Sequence, residues 1–159
     1  MNRTTTSISE SVQQTLELGR TIGSALAAGD VIALIGCLGS GKTHLTKGIA
    51  LGLDVTDERL VSSPTFVLMN DYRGRLIVHH VDAYRLEGAG QLEAIGFSEM
   101  CSGGGIVIVE WADRVCELIG PNALWIELTV AGPERRSLYI RTAEDELATR
   151  LSRSGLDLK

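Results

Sequence analysis

Cysteine is scarce in this sequence, and its spacing excludes two kinds of covalent or metal-bound framework. The 159 residues include three cysteines, Cys37, Cys101 and Cys116, and no C-x-x-C pair. An odd number of widely spaced cysteines argues against a disulfide framework and against a structural zinc site. We therefore expect free thiols, as in a reducing cytoplasm.

Long apolar runs and concentrated positive charge are also missing. No apolar stretch approaches the length of about 20 residues that a membrane-spanning helix needs, and the Thr- and Ser-rich start lacks the apolar block of a signal peptide. The formal net charge is -5, and the 15 lysines and arginines are scattered. Because strong nucleic-acid binders display a basic face, we expect no strong binding of nucleic acid by this chain alone. From the lack of long apolar runs we expect a cytoplasmic protein that does not cross a membrane.

The remaining composition predicts one folded domain over residues 1–159, with 44% hydrophobic and 22% charged residues. Apolar runs of strand length alternate with helical patterns, and some spacings are hairpin-short, which predicts an α/β fold with a mixed sheet flanked by helices. Strands are predicted at 31–35, 65–70, 76–81, 106–109, 124–130 and 138–141, and helices at 10–28, 41–51, 87–100, 111–119 and 144–153.

A glycine-rich loop between the first predicted strand and the next helix carries the strongest functional signal. Residues 36–43 read G-C-L-G-S-G-K-T and match G-x-x-x-x-G-K-[ST]. In such loops successive backbone N–H groups and the helix dipole bind phosphates, the lysine reaches the β and γ phosphates, and the hydroxyl coordinates Mg²⁺. We expect nucleotide contacts from Gly36, Gly39, Ser40, Gly41, Lys42, Thr43 and His44. A chance glycine loop is the alternative, but the strand before it and the helix after it argue against chance.

Two carboxylates follow apolar runs of strand length. Glu110 follows 106–109, and Asp82 follows 76–81. P-loop proteins hold Mg²⁺ with an acid at such a strand end, so Glu110 is the predicted second magnesium ligand beside Thr43. Asp82 is predicted to orient or deprotonate the attacking water. The alternative for Glu110 is a strand-end acid that merely faces solvent.

Neighbouring polar and aromatic residues allow weaker predictions. The segment 62–65, which ends at Thr65, lies where P-loop proteins carry a switch that senses the γ phosphate, although alone it is only a polar turn. His79 and His80 are adjacent and so point to opposite faces of a strand, which argues against a shared metal. We interpret Trp111 as a core residue.

Four motifs together resemble the TsaE family of bacterial P-loop ATPases, which serve tRNA threonylcarbamoyladenosine (t6A) biosynthesis. They are G-C-L-G-S-G-K-T, V-S-S-P-T-F, H-V-D-A-Y-R-L and V-E-W, within a likeness that runs from about Ser9 to Arg141. Two positions depart from the family pattern: Cys37, where Asp is common, and Ala112, where Pro is usual.

The resemblance implies ATP and Mg²⁺ as ligands, and a mixed sheet flanked by helices. It implies that Lys42 and Thr43 bind the nucleotide and its ion, that Glu110 is the magnesium acid, that Asp82 is an acid needed for activity, and that Thr65 belongs to the switch. Arg135 and Arg136 fall where family members carry basic residues near the nucleotide. Family members dock on the TsaB and TsaD pair, where ATP turnover resets the modification machinery without modifying tRNA directly.

Three other functions are alternatives to ATP hydrolysis. A small-molecule kinase would use Asp82 to activate an acceptor hydroxyl, but the short segments leave little room for an acceptor pocket and a lid. A GTPase switch needs an N-K-x-D motif, and none of the three lysines, Lys42, Lys47 and Lys159, provides one. A nucleotide-regulated adaptor without turnover stays open on sequence alone.

Overall fold

The computed structural model describes the backbone of residues 1–159 and all side chains except that of Glu58, and its strands form one mixed sheet. The strand order is β1-β7-β6-β2-β5-β4-β3. The strands are β1 Arg3–Ser9, β2 Val31–Ile35, β3 Met69–Arg73, β4 Ile77–Asp82, β5 Ile106–Glu110, β6 Leu124–Val130 and β7 Arg136–Thr142. β6, β2, β5 and β4 are parallel neighbours, whereas β1–β7, β7–β6 and β3–β4 pair antiparallel. The predicted α/β fold with a mixed sheet is confirmed.

Helices cover both faces of this sheet. They are α1 Val12–Ala25, α2 Lys42–Gly52, α3 Ala89–Ala94, α4 Phe97–Ser102, α5 Cys116–Ile119 and α6 Asp145–Arg153, with short 3-10 turns at Glu58–Leu60 and Ala112–Val115. Residues of α1, α2 and α6 share one core cluster with Ile32 and Leu34 of β2, and residues of α3 and α4 share the other with Ala33. Burial on both faces explains why β2 reads as a continuous apolar run.

Helices α1 and α2 touch along their backbones through glycines. A Cβ atom placed on Gly48 would lie 2.3 Å from the carbonyl oxygen of Leu16, and one on Gly23 would lie 2.2 Å from that of Ile49. No side chain fits at these points, so the two helices approach more closely than ordinary helices do. The helix that follows the glycine loop is therefore held directly against α1.

The structure corrects several predicted boundaries. Residues 65–68 form a turn, and β3 begins only at Met69, because Leu68 adopts a left-handed conformation with φ 68° that interrupts an extended strand. The helix predicted at 87–100 is divided into α3 and α4 at Gly96, where φ is 98°. The helix predicted at 10–28 ends at Ala25. Strand β1 was not predicted.

Candidate functional site

A cavity of about 720 Å³ opens where the parallel strands β2, β4 and β5 end. The ends of parallel strands in an open α/β sheet are the usual place for ligand binding. The cavity is lined by Val12, Thr15, Leu38, Gly39, Ser40, Gly41, Lys42, Thr43, His44, Ser63, Thr65, Asp82, Tyr84, Glu110, Trp111, Pro133, Glu134 and Arg136. The fold therefore brings residues 38–43 of the glycine-rich loop 36–43 (the phosphate loop), both strand-end acids and Thr65 to one place, whereas Gly36 is not among the lining residues.

Glycine is required at different positions of the loop for different structural reasons. Gly39 and Gly41 have φ values of 80° and 103°, a region that side chains rarely adopt. Gly36 needs space, because a Cβ atom there would lie 2.4 Å from Oγ of Ser40 and 2.8 Å from the carbonyl oxygen of Leu128. The loop can thus curl tightly between β2 and α2.

Lys42 is folded into this loop and is only 6% exposed. Its ammonium group donates to the carbonyl oxygens of Gly36 at 2.6 Å and Cys37 at 3.0 Å, and lies 4.1 Å from the centre of the Trp111 ring. Burial lowers the pKa of Lys42, and the negative charge of Glu110 opposes that shift. The loop and the ring therefore hold a buried cation at the base of the cavity.

The two strand-end acids lie side by side, because Asp82 and Glu110 are paired residues on the parallel strands β4 and β5. They are 2% and 1% exposed. Thr43 donates from Oγ1 to Oε1 of Glu110 at 3.1 Å, although 67 residues separate them. The hydroxyls of Ser63 and Thr65 each donate to Oδ2 of Asp82 at 2.8 Å, and Ser63 Oγ also lies 3.3 Å from Oε2 of Glu110.

This arrangement is rich in hard oxygen ligands. Among the residues with described side chains, there is no group of three or more His, Cys, Asp and Glu residues that could hold a metal by themselves. Mg²⁺ does not need such a cage, since proteins usually hold it with one or two carboxylates and leave the other positions to water and substrate phosphates. Thr43 and Glu110 together fit that pattern of Mg²⁺ coordination.

The structure places Arg136 against the phosphate loop. From β7 its guanidinium donates through Nε to the carbonyl oxygen of Ser40 at 3.1 Å and through Nη2 to that of Gly39 at 3.2 Å. A third hydrogen bond, from Nη1, reaches the carbonyl oxygen of Gly132 in the β6–β7 turn at 3.1 Å. Arg135 is not among the lining residues, and its Nε lies 3.4 Å from Oε1 of Glu10. His44 is exposed at the rim of the cavity.

Sequence reasoning missed part of the site. Trp111 is only partly buried: it packs against one core cluster, but its ring also lies over Lys42 and 4.9 Å from the ring of Tyr84. Its φ of 57° turns the chain directly after Glu110, and a sequence pattern cannot reveal that conformation. Ser63 was missed as a partner of Asp82, although it lies within the predicted switch segment.

The chain was compared with known proteins. A family model described as "Threonylcarbamoyl adenosine biosynthesis protein TsaE" matches residues 9–138. The tRNA threonylcarbamoyladenosine biosynthesis protein TsaE of Treponema pallidum is 37% identical over 133 residues, which are 84% of this chain and 97% of that protein. The protein of the same name from Bacillus subtilis is 37% identical over 127 residues, or 79% and 78% of the two chains.

A solved structure agrees with these sequence matches. The crystal structure of Bacillus subtilis YdiB superposes with a TM-score of 0.79 at 28% sequence identity, and the match covers 98% of both chains. The likeness thus extends over all seven strands of the sheet. The chain belongs to the TsaE family of tRNA threonylcarbamoyladenosine biosynthesis proteins.

Proposed function

We propose that this chain binds ATP with Mg²⁺ in the cavity and hydrolyses the nucleotide in support of t6A biosynthesis, the process for which its family is named. One observation carries the proposal: Lys42, the Thr43–Glu110 contact and Asp82 meet in a single cavity at the end of the sheet. Such a combination supplies a phosphate cradle, a magnesium ligand pair and an acid for the attacking water.

The loop suits a triphosphate for two reasons. Its left-handed glycines allow consecutive N–H groups to face one ligand, and α2 begins at Lys42, so the positive end of the helix dipole adds to the attraction. The ammonium group of Lys42 donates hydrogen bonds to two carbonyl oxygens of the loop. When a triphosphate binds, phosphate oxygens would replace these carbonyl oxygens as acceptors. A charge-assisted bond to phosphate is stronger than a bond to a neutral carbonyl.

The remaining residues would hold Mg²⁺ and align the attacking water. When bound, Mg²⁺ supplies positive charge to the phosphate oxygens, and Thr43 and Glu110 would hold it. Asp82 accepts hydrogen bonds from Ser63, from Thr65 and from the backbone N–H of Tyr84 at 2.9 Å. Three donors fix the orientation of this carboxylate, which suits it to align a water molecule for in-line attack.

Binding and hydrolysis test this proposal in the purified protein. Lys42→Ala should weaken Mg-ATP binding at least a hundredfold, or about 2.7 kcal/mol, and abolish hydrolysis. Glu110→Gln should retain ATP binding in EDTA but lose the increase in ATP affinity that Mg²⁺ provides. Lys47→Ala, on the same helix but outside the cavity lining, is the matched control and should behave as wild type. Undiminished hydrolysis by the Lys42 variant would overturn the site. ADP formation that requires an added metabolite would favour the kinase alternative.

We further propose that the chain docks on TsaB and TsaD. Leu38 in the cavity lining and Phe66 and Val67 in the turn after Thr65 are 90%, 83% and 65% exposed, and exposed apolar surface commonly marks protein interfaces. Phe66 directly follows Thr65, whose hydroxyl reaches Asp82, so this loop joins the site to the surface. The net charge of -5 and the scattered positions of the lysines and arginines favour a protein partner over tRNA as the direct contact.

Docking is tested by adding TsaB and TsaD from the same organism. The pair should stimulate ATP hydrolysis by wild type, whereas Phe66→Ser should keep its basal rate and lose the stimulation. Leu60→Ser is the control, because Leu60 is 63% exposed but lies outside the cavity lining and outside the 65–68 turn. Stimulation that survives in Phe66→Ser would remove this loop from the interface.

A further inference from the structure

A buried histidine adjoins the site without belonging to the cavity lining. His80 lies on β4 and is 0% exposed. Its Nδ1 is 3.0 Å from the hydroxyl oxygen of Tyr72, and its Nε2 is 3.4 Å from Oε2 of Glu110. Among the described side chains, Nε2 has no well-aligned hydrogen-bond partner, so the carboxylate of Glu110 is the polar group that it faces. A buried polar nitrogen without a partner lowers the stability of the folded state.

The hydroxyl of Tyr72 bears on which ring nitrogen of His80 carries the proton. This hydroxyl has two possible acceptors, Nδ1 of His80 and the carbonyl oxygen of Ser62 at 3.2 Å, but a single hydrogen. If Tyr72 donates to Nδ1, the proton of a neutral His80 sits on Nε2 and points at Glu110. If it donates to Ser62, Nδ1 carries the proton and the lone pair of Nε2 faces a carboxylate. The first arrangement is favourable and the second is repulsive.

We propose that Tyr72 and His80 position the carboxylate of Glu110 and connect it to the segment 62–65. In this arrangement Nε2–H of His80 holds Oε2 of Glu110, so that Oε1 stays beside Thr43. Burial raises the pKa of Tyr72, which keeps its hydroxyl protonated and able to donate. This inference rests on the proposed function, since Glu110 is there the magnesium acid.

The connection to the segment 62–65 follows from the other contacts of Tyr72. The backbone N–H of Ser62 donates to the Tyr72 hydroxyl oxygen at 3.4 Å, and the next residue, Ser63, contacts both acids. A displacement of Ser62 would remove the competing acceptor, so that the Tyr72 hydroxyl donates to Nδ1 alone and the proton of His80 is favoured on Nε2. The position of this segment and the orientation of Glu110 are therefore linked through two buried side chains.

Matched substitutions distinguish a positioning role of Tyr72 and His80 from a role in core packing alone. Tyr72→Phe keeps the ring and removes only the hydroxyl. His80→Gln keeps an N–H donor near the position of Nε2, whereas His80→Met fills the space without one. His79→Gln is the control, because His79 is on the opposite face of β4 and pairs with the exposed Asp71 at 2.8 Å. Thermal melting of each variant verifies that it is folded.

The first readout is the tautomer of His80, which nitrogen NMR measures in the protein without nucleotide. We expect Nε2 to be protonated in wild type and this preference to weaken in Tyr72→Phe. The second readout is the Mg²⁺ concentration for half-maximal ATP binding by calorimetry. It should rise about 10-fold in Tyr72→Phe and His80→Met, the range typical of residues that support metal ligands, and return close to wild type in His80→Gln. ATP binding in EDTA should stay within about twofold, because the phosphate loop is untouched.

The outcomes distinguish this inference from the proposed function. A His80 protonated on Nδ1 alone in wild type overturns the inference whatever the nucleotide does. An unchanged Mg²⁺ response in Tyr72→Phe and His80→Met, with an altered one in Glu110→Gln, overturns the inference and leaves the proposed function standing. If Glu110→Gln is itself without effect on the Mg²⁺ response, the proposed magnesium site fails, and the magnesium role of His80 fails with it.

Discussion

Substituting Gly48 by alanine sets helix propensity against backbone contact, and the structure predicts which effect is larger. Alanine is favoured over glycine in a helix interior by about 0.8–1.0 kcal/mol. At Gly48, however, the new Cβ would lie 2.3 Å from the carbonyl oxygen of Leu16 and 2.9 Å from Cα of Gly19, both backbone atoms of α1. Neither atom can rotate away as a flexible side chain could, so α1 and α2 must separate by about 1 Å in a close-packed interior.

Overpacking of this kind costs about 1–3 kcal/mol, and a clash with two backbone atoms belongs at the upper end of that range. After subtraction of the propensity gain, Gly48→Ala should lower the free energy of unfolding by about 2 kcal/mol. In a chain of this size the melting temperature should fall by about 4–8 °C. Because α2 carries the phosphate loop at its start, Mg-ATP affinity should also decrease.

Urea denaturation measures this change, with Gly90→Ala as the matched control. Gly90 lies in α3, and a Cβ atom there would meet nothing within 4 Å. Gly90→Ala should therefore leave the urea midpoint unchanged or raise it. The free energy of unfolding should increase by at most about 1 kcal/mol. A Gly48→Ala midpoint equal to or above that of wild type would refute the reasoning that backbone contact dominates.

Three further predictions concern charge and thiol chemistry. Arg136→Ala removes the hydrogen bonds that hold the phosphate loop and should weaken Mg-ATP binding about tenfold by calorimetry, or roughly 1.4 kcal/mol, while Arg135→Ala should not. Burial raises the pKa of Cys101, so timed alkylation with mass spectrometry should find it slower to react than the two exposed cysteines. Asp30→Ala leaves the guanidinium of Arg150, now 2.7 Å from that carboxylate, without its charge partner and should cost about 2–3 kcal/mol in urea denaturation.

The central part of the fold was predictable because its strands are buried on both faces. Runs such as 106–109 read as continuous apolar segments, and the structure places strand β5 there. Strand β1 was missed because it pairs only with β7 in the sheet and carries polar threonines on exposed and half-buried positions. Its β-branched Thr4-Thr5-Thr6 run was the available signal for a strand.

The site was predictable to the extent that strand ends share one edge. That rule predicts that Asp82 and Glu110 lie close together, and their pairing on adjacent strands agrees with it. It could not reveal the direction of a long side chain such as Arg136, which turns toward loop carbonyls because the β6–β7 hairpin lies beside the loop. The partners of His80 were equally hidden, since they depend on the register between strands β3, β4 and β5.

The pairing of β1 also has a consequence for the order in which strands can pair during synthesis. Arg3 pairs with Thr142, and the backbone of Thr4 exchanges hydrogen bonds with that of Lys159 at 2.8 and 2.9 Å. Strand β1 therefore has no strand partner until β7 has been synthesised. Contacts of such long sequence separation form slowly, whereas the segment from β2 to β5 already contains the phosphate loop and both acids. The nascent protein can thus assemble most of the candidate site before β1 and β7 pair.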